Sequence, residues 1–264
     1  AWETLGTPET IKALTIDQMR EYWNTRYGAR NIIFAIAGNI DWEQVKGAIE
    51  GLTKDWQLGE TGRKEQPVDF RPSFNVYHRE QFVQEQMGIG VPSVANRDPR
   101  YFAARVLATV LGDDTGSRLY WALYQEGLAE TANAQVFDFD DSGMLYVHLT
   151  TEPALAQRAL EATEFELKRI QGFDVEQDEL DRAKAKLVSS VIIGGESTNE
   201  RVMELISSWL THARLETLEE IREKFEAVTL ADLRDYLQAF PVWPSQVISA
   251  AGPLASDALQ QPTL

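Results

Sequence analysis

The chain has no cysteine in its 264 residues, which removes disulfide cross-links, thiolate nucleophiles and Cys-ligated metals together. That absence fits bacterial cytoplasm or periplasm equally and selects neither. Histidine is almost as scarce. His78, His148 and His212 stand far apart, and none sits at the H-x-x-x-H or H-x-x-E-H spacing that puts two ligands on one helix face. No zinc site built from this chain alone is expected. The longest fully apolar run, Ile32 to Ala37, is far too short to span a bilayer. Residues 1–30 lack a basic start followed by an apolar block, so no signal peptide is expected in this chain. Positive charge is in deficit: 25 Lys and Arg face 41 Asp and Glu, for a net charge of −16. Such a surface repels phosphate backbones and argues against nucleic acid as a partner, while leaving a mild preference for basic peptides.

Most catalytic signatures are also lacking. No G-x-S-x-G elbow appears. The carboxylate pairs Asp113/Asp114 and Glu219/Glu220 read as solvated helix ends. The stretch from Gly112 to Arg118 has neither the spacing nor the lysine of a phosphate loop. Asp138-x-Asp140-x-Ser142-Gly143 matches half of a calcium loop. Its twelfth position is Leu149 instead of glutamate, and the segment continues as an alternating strand.

What is present is a globular pattern, 44% hydrophobic. Thr15-x-x-Gln18, Ser197-x-x-Glu200 and Thr217-x-x-Glu220 read as capping boxes. Asp98-Pro99 predicts a helix opening at Pro99 and running to about Leu111. Ala156, Ala159, Leu160, Thr163, Leu167 and Ile170 predict a helix ended by Gly172. Leu180, Ala183, Leu187 and Val191 predict another, stopped by Gly194-Gly195. Strands are expected at Ile32–Ile36 and where Met87, Ile89 and Val91 alternate with Gly88 and Gly90. A hairpin is expected over 132–151, turning at 140–143.

The chain also repeats itself. Residues 14–38 resemble 228–252 at a constant offset of 214, without a gap. Glu9/Glu223, Ala13/Ala227, Thr15/Thr229, Arg20/Arg234, Tyr22/Tyr236, Ala37/Ala251 and Gly38/Gly252 are identical pairs. Each copy reads as capped helix, turn, buried strand and glycine. The second copy follows about 150 residues of strands and helices, while the first has almost nothing before it. This predicts residues 1–57 as the tail of one domain, 58–72 as a linker and 73–264 as a complete second domain, the C-terminal portion of a longer tandem-domain protein.

The stretch "GTPETIKALTIDQMREYWNTRYGARNIIFAIAGNID" resembles the segment closing the first domain of the pitrilysin/insulinase-type zinc metallopeptidases, the inverzincins. Gly6, Ile11, Tyr27, Asn31, Gly38 and Asp41 carry the likeness. "LGDDTGSRLYWALYQEGLAE" resembles their second domain through Leu111, Gly112, Ser117, Arg118, Leu119, Gly127, Leu128 and Ala129.

The resemblance implies an α+β fold, a two-layer α/β sandwich with a mixed, mostly antiparallel sheet and helices on one face. It implies no cofactor in this chain. Zinc would be held by H-x-x-E-H and a distal glutamate in a catalytic domain upstream of this segment. Family members also set an arginine and, seven residues on, a tyrosine of the second domain over the substrate; Leu123 and Glu130 stand there instead. The substrate-facing residues expected here are Arg118, Tyr124 and Glu130, with Arg118 also read as a structural tether.

The function implied is the zinc-free C-terminal portion of a zinc-dependent endopeptidase, walling a peptide-binding chamber. The alternative is a non-catalytic member acting as a binding or assembly subunit beside an active peptidase. Expected partners are a peptide or protein substrate, a homologous catalytic domain in the same or a partner chain, and a second copy of the chain.

Overall fold

A computed structural model describes residues 5–62, 69–244 and 246–260. Residues 63–68, inside the expected linker, lie outside the described residues. The chain divides into two compact units: Ala1–Gln66 with Thr198–Ser207, and Pro67–Ser197 with Ser208–Leu264.

The first unit holds helices α1 (Pro8–Ala13), α2 (Ile16–Arg26) and α3 (Trp42–Thr53). Each opens on a side-chain cap. Thr7 and Thr10 form a capping box, Thr15 and Gln18 form the expected second one, and Asp41 accepts from the Gln44 N–H at 3.0 Å. Residues 57–60 fold back on the turn after α2. Ala29 N–H donates to Gln57 O at 2.8 Å, and Glu60 N–H to Thr25 O at 2.8 Å. Gly28 and Gly59 meet there backbone to backbone, leaving no room for a Cβ.

The expected strand at Ile32–Ile36 does not form. The backbone is extended (Ile32 φ −126°, ψ 133°), yet no strand among the described residues pairs with it. A strand is defined by a neighbour's N–H and C=O groups, and apolar β-branched sequence cannot supply them.

The second unit is built on a five-stranded mixed sheet: β1 (Ser73–His78), β2 (Glu85–Ser93), β3 (Thr131–Asp138), β4 (Gly143–Thr151) and β5 (Val247–Gly252), in the order β1-β5-β2-β4-β3. Only β1 and β5 run parallel; the other neighbours are antiparallel. The β3–β4 hairpin turns where its sequence predicts. Met87, Ile89 and Val91 of β2, with Leu145, Val147 and Leu149 of β4 and Ile248 and Ala250 of β5, are buried. They pack against helices α4 (Tyr101–Gly112), α5 (Ala156–Gln171), α6 (Gln177–Glu196), α8 (Leu218–Ala227) and α9 (Leu230–Ala239) in one continuous core. The α+β architecture, with helices on one face of a mixed, mostly antiparallel sheet, is as expected. Helix α7 (Thr198–His212) opens directly after Ser197.

Two helix boundaries depart from expectation. Helix α4 opens at Tyr101, because Asp98 turns its carboxylate to the Arg100 N–H (2.8 Å) and its carbonyl to the Tyr101 N–H (3.0 Å). That makes a turn before the helix. Helix α6 runs through Gly194 and Gly195 to Glu196, since Gly195 packs where the Leu218 side chain would collide with a Cβ.

The 214-residue correspondence recurs in the hydrogen bonding. Leu14 N–H donates to Ile11 O and Val228 N–H to Phe225 O, at 3.3 and 3.2 Å. Met19 N–H donates to Thr15 O and Leu233 N–H to Thr229 O, both at 3.2 Å. Thr229 with Asp232 repeats the box of Thr15 with Gln18. Burial does not repeat. Phe225, Val228, Leu233, Tyr236, Leu237 and Ile248 are buried, while their counterparts Ile11, Leu14, Met19, Tyr22, Trp23 and Phe34 are exposed.

Candidate functional site

The segment from Gly112 to Glu130 joins α4 to β3. Gly112 closes α4 against the backbone of Ala134, at a separation only glycine allows. Asp113 and the Thr115 carbonyl receive the Lys186 ammonium from α6. Ser117 Oγ donates to Asp113 O at 2.7 Å and accepts from Tyr120 N–H at 3.2 Å, starting the next helical piece. That piece is a single wide turn, a π-helix over Tyr120–Tyr124, and not a regular helix.

The three expected site residues differ in burial. Arg118 is buried. Its Nε and Nη2 each donate at 2.7 Å to one oxygen of Glu179 on α6, and Nη2 also reaches the Asp174 carbonyl. Glu166 of α5 approaches Nη1 at 3.9 Å and shares its charge with Arg169, which holds Asp174 as well. Burial opposes ionisation of Glu179. The Arg118 hydrogen bonds and the Glu176 N–H outweigh it and hold the carboxyl below its ordinary value. Tyr124 and Glu130 lie at the surface. Leu123, which the resemblance leads one to align with an arginine, is fully buried in the core.

Sequence reading missed three things. Glu166 and Glu179, Arg118's partners, lie 48 and 61 residues away and carry no local signal. Tyr120 stacks on Tyr124 (ring centroids 5.4 Å apart, 19° between planes) and meets Trp121 edge to face, giving an aromatic cluster around the π turn. Glu164, on α5, is buried with Oε1 unpartnered, and burial pushes its carboxyl up to about 7. The sheet face away from the helices holds a cavity of about 470 Å³ over Gly88, Gly90, Ser249 and Ala251, flanked by Tyr146 and Phe70. The alternation of glycine in β2 foreshadowed that thin floor.

The donor chemistry does not fit a zinc centre. His78 Nδ1 lies 3.1 Å from the Leu254 carbonyl, His148 Nε2 lies 3.1 Å from Gln86, and His212 stands 3.8 Å from Glu216. Among the described residues, no three His, Asp, Glu or Cys side chains gather to hold a metal. No helix among them is long and apolar enough to cross a membrane.

Comparison with known proteins points one way. The profile of the "Peptidase M16 inactive domain" matches residues 13–187. An uncharacterized zinc protease of Streptomyces coelicolor is 27% identical over 87% of this chain and 52% of its own length. The Bacillus subtilis relative, also an uncharacterized zinc protease, is 25% identical over 86% of this chain and 55% of its own. The chain thus spans about half the length of the curated relatives it matches. A peptidase M16 inactive domain from Pseudomonas fluorescens shares the fold with a TM-score of 0.84 at 20% identity, over 97% of this chain and 61% of that one.

Proposed function

This chain belongs to the peptidase M16 inactive-domain family, and from that premise we propose that it is the zinc-free wall of a peptide-binding chamber, supporting a zinc-dependent catalytic domain encoded outside it. Residues 1–57 form the closing part of a first α/β domain, 58–72 a linker and 73–264 a second, non-catalytic domain. Zinc and its H-x-x-E-H ligands belong to the catalytic domain, and no chemical step is assigned to residues of this chain. Tyr124 and Glu130 face the peptide, and Arg118 braces the segment that carries them.

The carrying observation is the unequal burial of the two repeat copies. Ile11, Leu14 and Met19 are apolar and keep the local hydrogen bonding of Phe225, Val228 and Leu233, and yet they stay exposed, as does Phe34, the counterpart of buried Ile248. That pattern supports an absent sheet and helix layer as their partner. A second reading, a binding or assembly subunit beside an active peptidase, draws support from Leu123 and Glu130, which replace the expected arginine and tyrosine.

The test mixes this chain with a separately expressed H-x-x-E-H domain from the same organism. Peptide hydrolysis that requires both parts and stops with a chelator supports the chamber reading. Tight association without any hydrolysis supports the subunit reading. Stoichiometric zinc and hydrolysis by the chain alone overturn both.

A further inference from the structure

Between Leu119 and Gln157 the chain carries six carboxylates and not one lysine or arginine. This cation-free run includes the π turn, the edge strand β3 and its neighbour β4. Several acids elsewhere in the second unit have cationic neighbours: Glu216 has Arg214 and Lys224, and Glu219 and Glu226 share Arg222. The two acids beside the π turn have none among the described residues. Glu126 and Glu130 are exposed, and neither carboxylate has an ion-pair or hydrogen-bond partner among the described residues.

Beside them, Trp121 is 60% and Tyr124 51% exposed, a large outlay of aromatic surface within four residues. These rings are held in place. Tyr120 stacks on Tyr124 and receives the Gln125 amide, Leu123 anchors the turn in the core, and Leu128 N–H donates back to Leu123 O at 2.8 Å. No cation among the described residues lies over Tyr120, Trp121 or Tyr124. Other rings, such as Trp243 under Lys168 and Phe173 under Arg234, have theirs. The turn therefore presents fixed, electron-rich ring faces and uncompensated carboxylates, with no cation of its own to satisfy either.

We infer that this turn docks a cationic peptide segment, with Lys or Arg side chains over Trp121 and Tyr124 and their charge met by Glu126 and Glu130. The inference rests on the proposal that Tyr124 and Glu130 face peptide, and adds the chemical class of what they receive.

The experiment titrates the full chain, by calorimetry, with an arginine-rich peptide and with its glutamate-substituted counterpart of equal length. The arginine peptide binds, the glutamate peptide does not, and affinity falls as salt rises toward about 0.5 M. Trp121→Ala and Tyr124→Ala each weaken binding about two- to fivefold. Glu126→Gln/Glu130→Gln weakens it and flattens the salt dependence. Glu43→Gln/Glu60→Gln, which removes the same charge far along the sequence, leaves affinity unchanged. All four positions mutated in the turn are solvent-exposed, and circular dichroism verifies each fold.

Equal weakening by the two glutamine pairs overturns the inference, because net charge alone would then account for binding. Equal binding of both peptides, lost in Trp121→Ala/Tyr124→Ala, also overturns the cationic class but keeps the turn as a peptide-facing surface. Failure of both peptides to bind overturns the inference and the peptide-facing reading together.

Discussion

Arg118 and Glu179 meet fork to fork, with two nitrogens each 2.7 Å from a different carboxylate oxygen, where 6% of the arginine side chain and 19% of the glutamate side chain remain exposed. The pair ties the start of the π turn to α6, and through Glu166 to α5. Replacing Arg118 with methionine strands two carboxylates in a poorly hydrated site. The expected loss is about 3–5 kcal/mol in denaturant unfolding. Arg118→Lys keeps the charge but not the fork, and falls between the two. An unchanged unfolding midpoint for Arg118→Met would show that the network contributes nothing.

Glu164 links stability to pH in the opposite direction from Glu179. Its folded-state pKa is raised by burial to about 7 from an ordinary 4.5. Between those values the folded protein keeps a proton that the unfolded chain releases. Stability therefore falls as pH rises through that window, and the full cost is present above it. Glu164→Gln is expected to stabilise the protein by about 1–3 kcal/mol near pH 8 and by nothing near pH 4. A gain that is the same at both pH values would refute the assignment.

Tyr236 and Tyr22 are the same residue at corresponding places in the two repeat copies. Tyr236 is fully buried, its hydroxyl is 2.8 Å from Ser93 Oγ, and burial pushes its phenol up to about 12. Tyr236→Phe orphans the serine and should cost about 1–2 kcal/mol. Tyr22 is 59% exposed, and Tyr22→Phe should be neutral within about 0.5 kcal/mol. Thermal unfolding of both variants measures the contrast. Equal losses would mean that the first copy is packed like the second.

Two helical glycines should respond with opposite signs to alanine. A Cβ at Gly112 would strike the Ala134 backbone, so Gly112→Ala should destabilise by about 1–3 kcal/mol. Nothing lies within 4 Å of a Cβ at Gly47 in α3, so Gly47→Ala should leave packing untouched and raise helix content. Helical circular dichroism that is flat for Gly47→Ala, or a neutral Gly112→Ala, would contradict this.

Local patterns were legible in the sequence, and distant pairings were not. The β3–β4 hairpin, the Met87–Ile89–Val91 face and the Thr15 and Thr217 capping boxes depend on residues within a few positions of one another, and they stand where the sequence puts them. Ile32–Ile36 has strand composition, but its pairing depends on another chain segment. Asp98-Pro99 carries a helix-start signal, but the Asp98 side chain prefers the nearer Arg100 N–H. Gly194-Gly195 reads as a stop until the close approach of Leu218 gives Gly195 a packing role. Arg118 stood out by itself, whereas Glu166 and Glu179 became its partners only through the packing of α5 and α6 on the segment after α4.

The extended but unpaired run after Ile32 has a practical consequence. No strand among the described residues pairs with it on either side, and its side chains include the exposed Ile33, Phe34 and Ile36. Such a run recruits whatever strand it meets first. In a concentrated solution of this polypeptide, that strand belongs to another copy, and self-association should climb steeply with concentration. A charged substitution such as Phe34→Lys should suppress it without touching the second unit. The safest handling of the molecule is therefore dilute, or together with a partner that supplies a strand to this run.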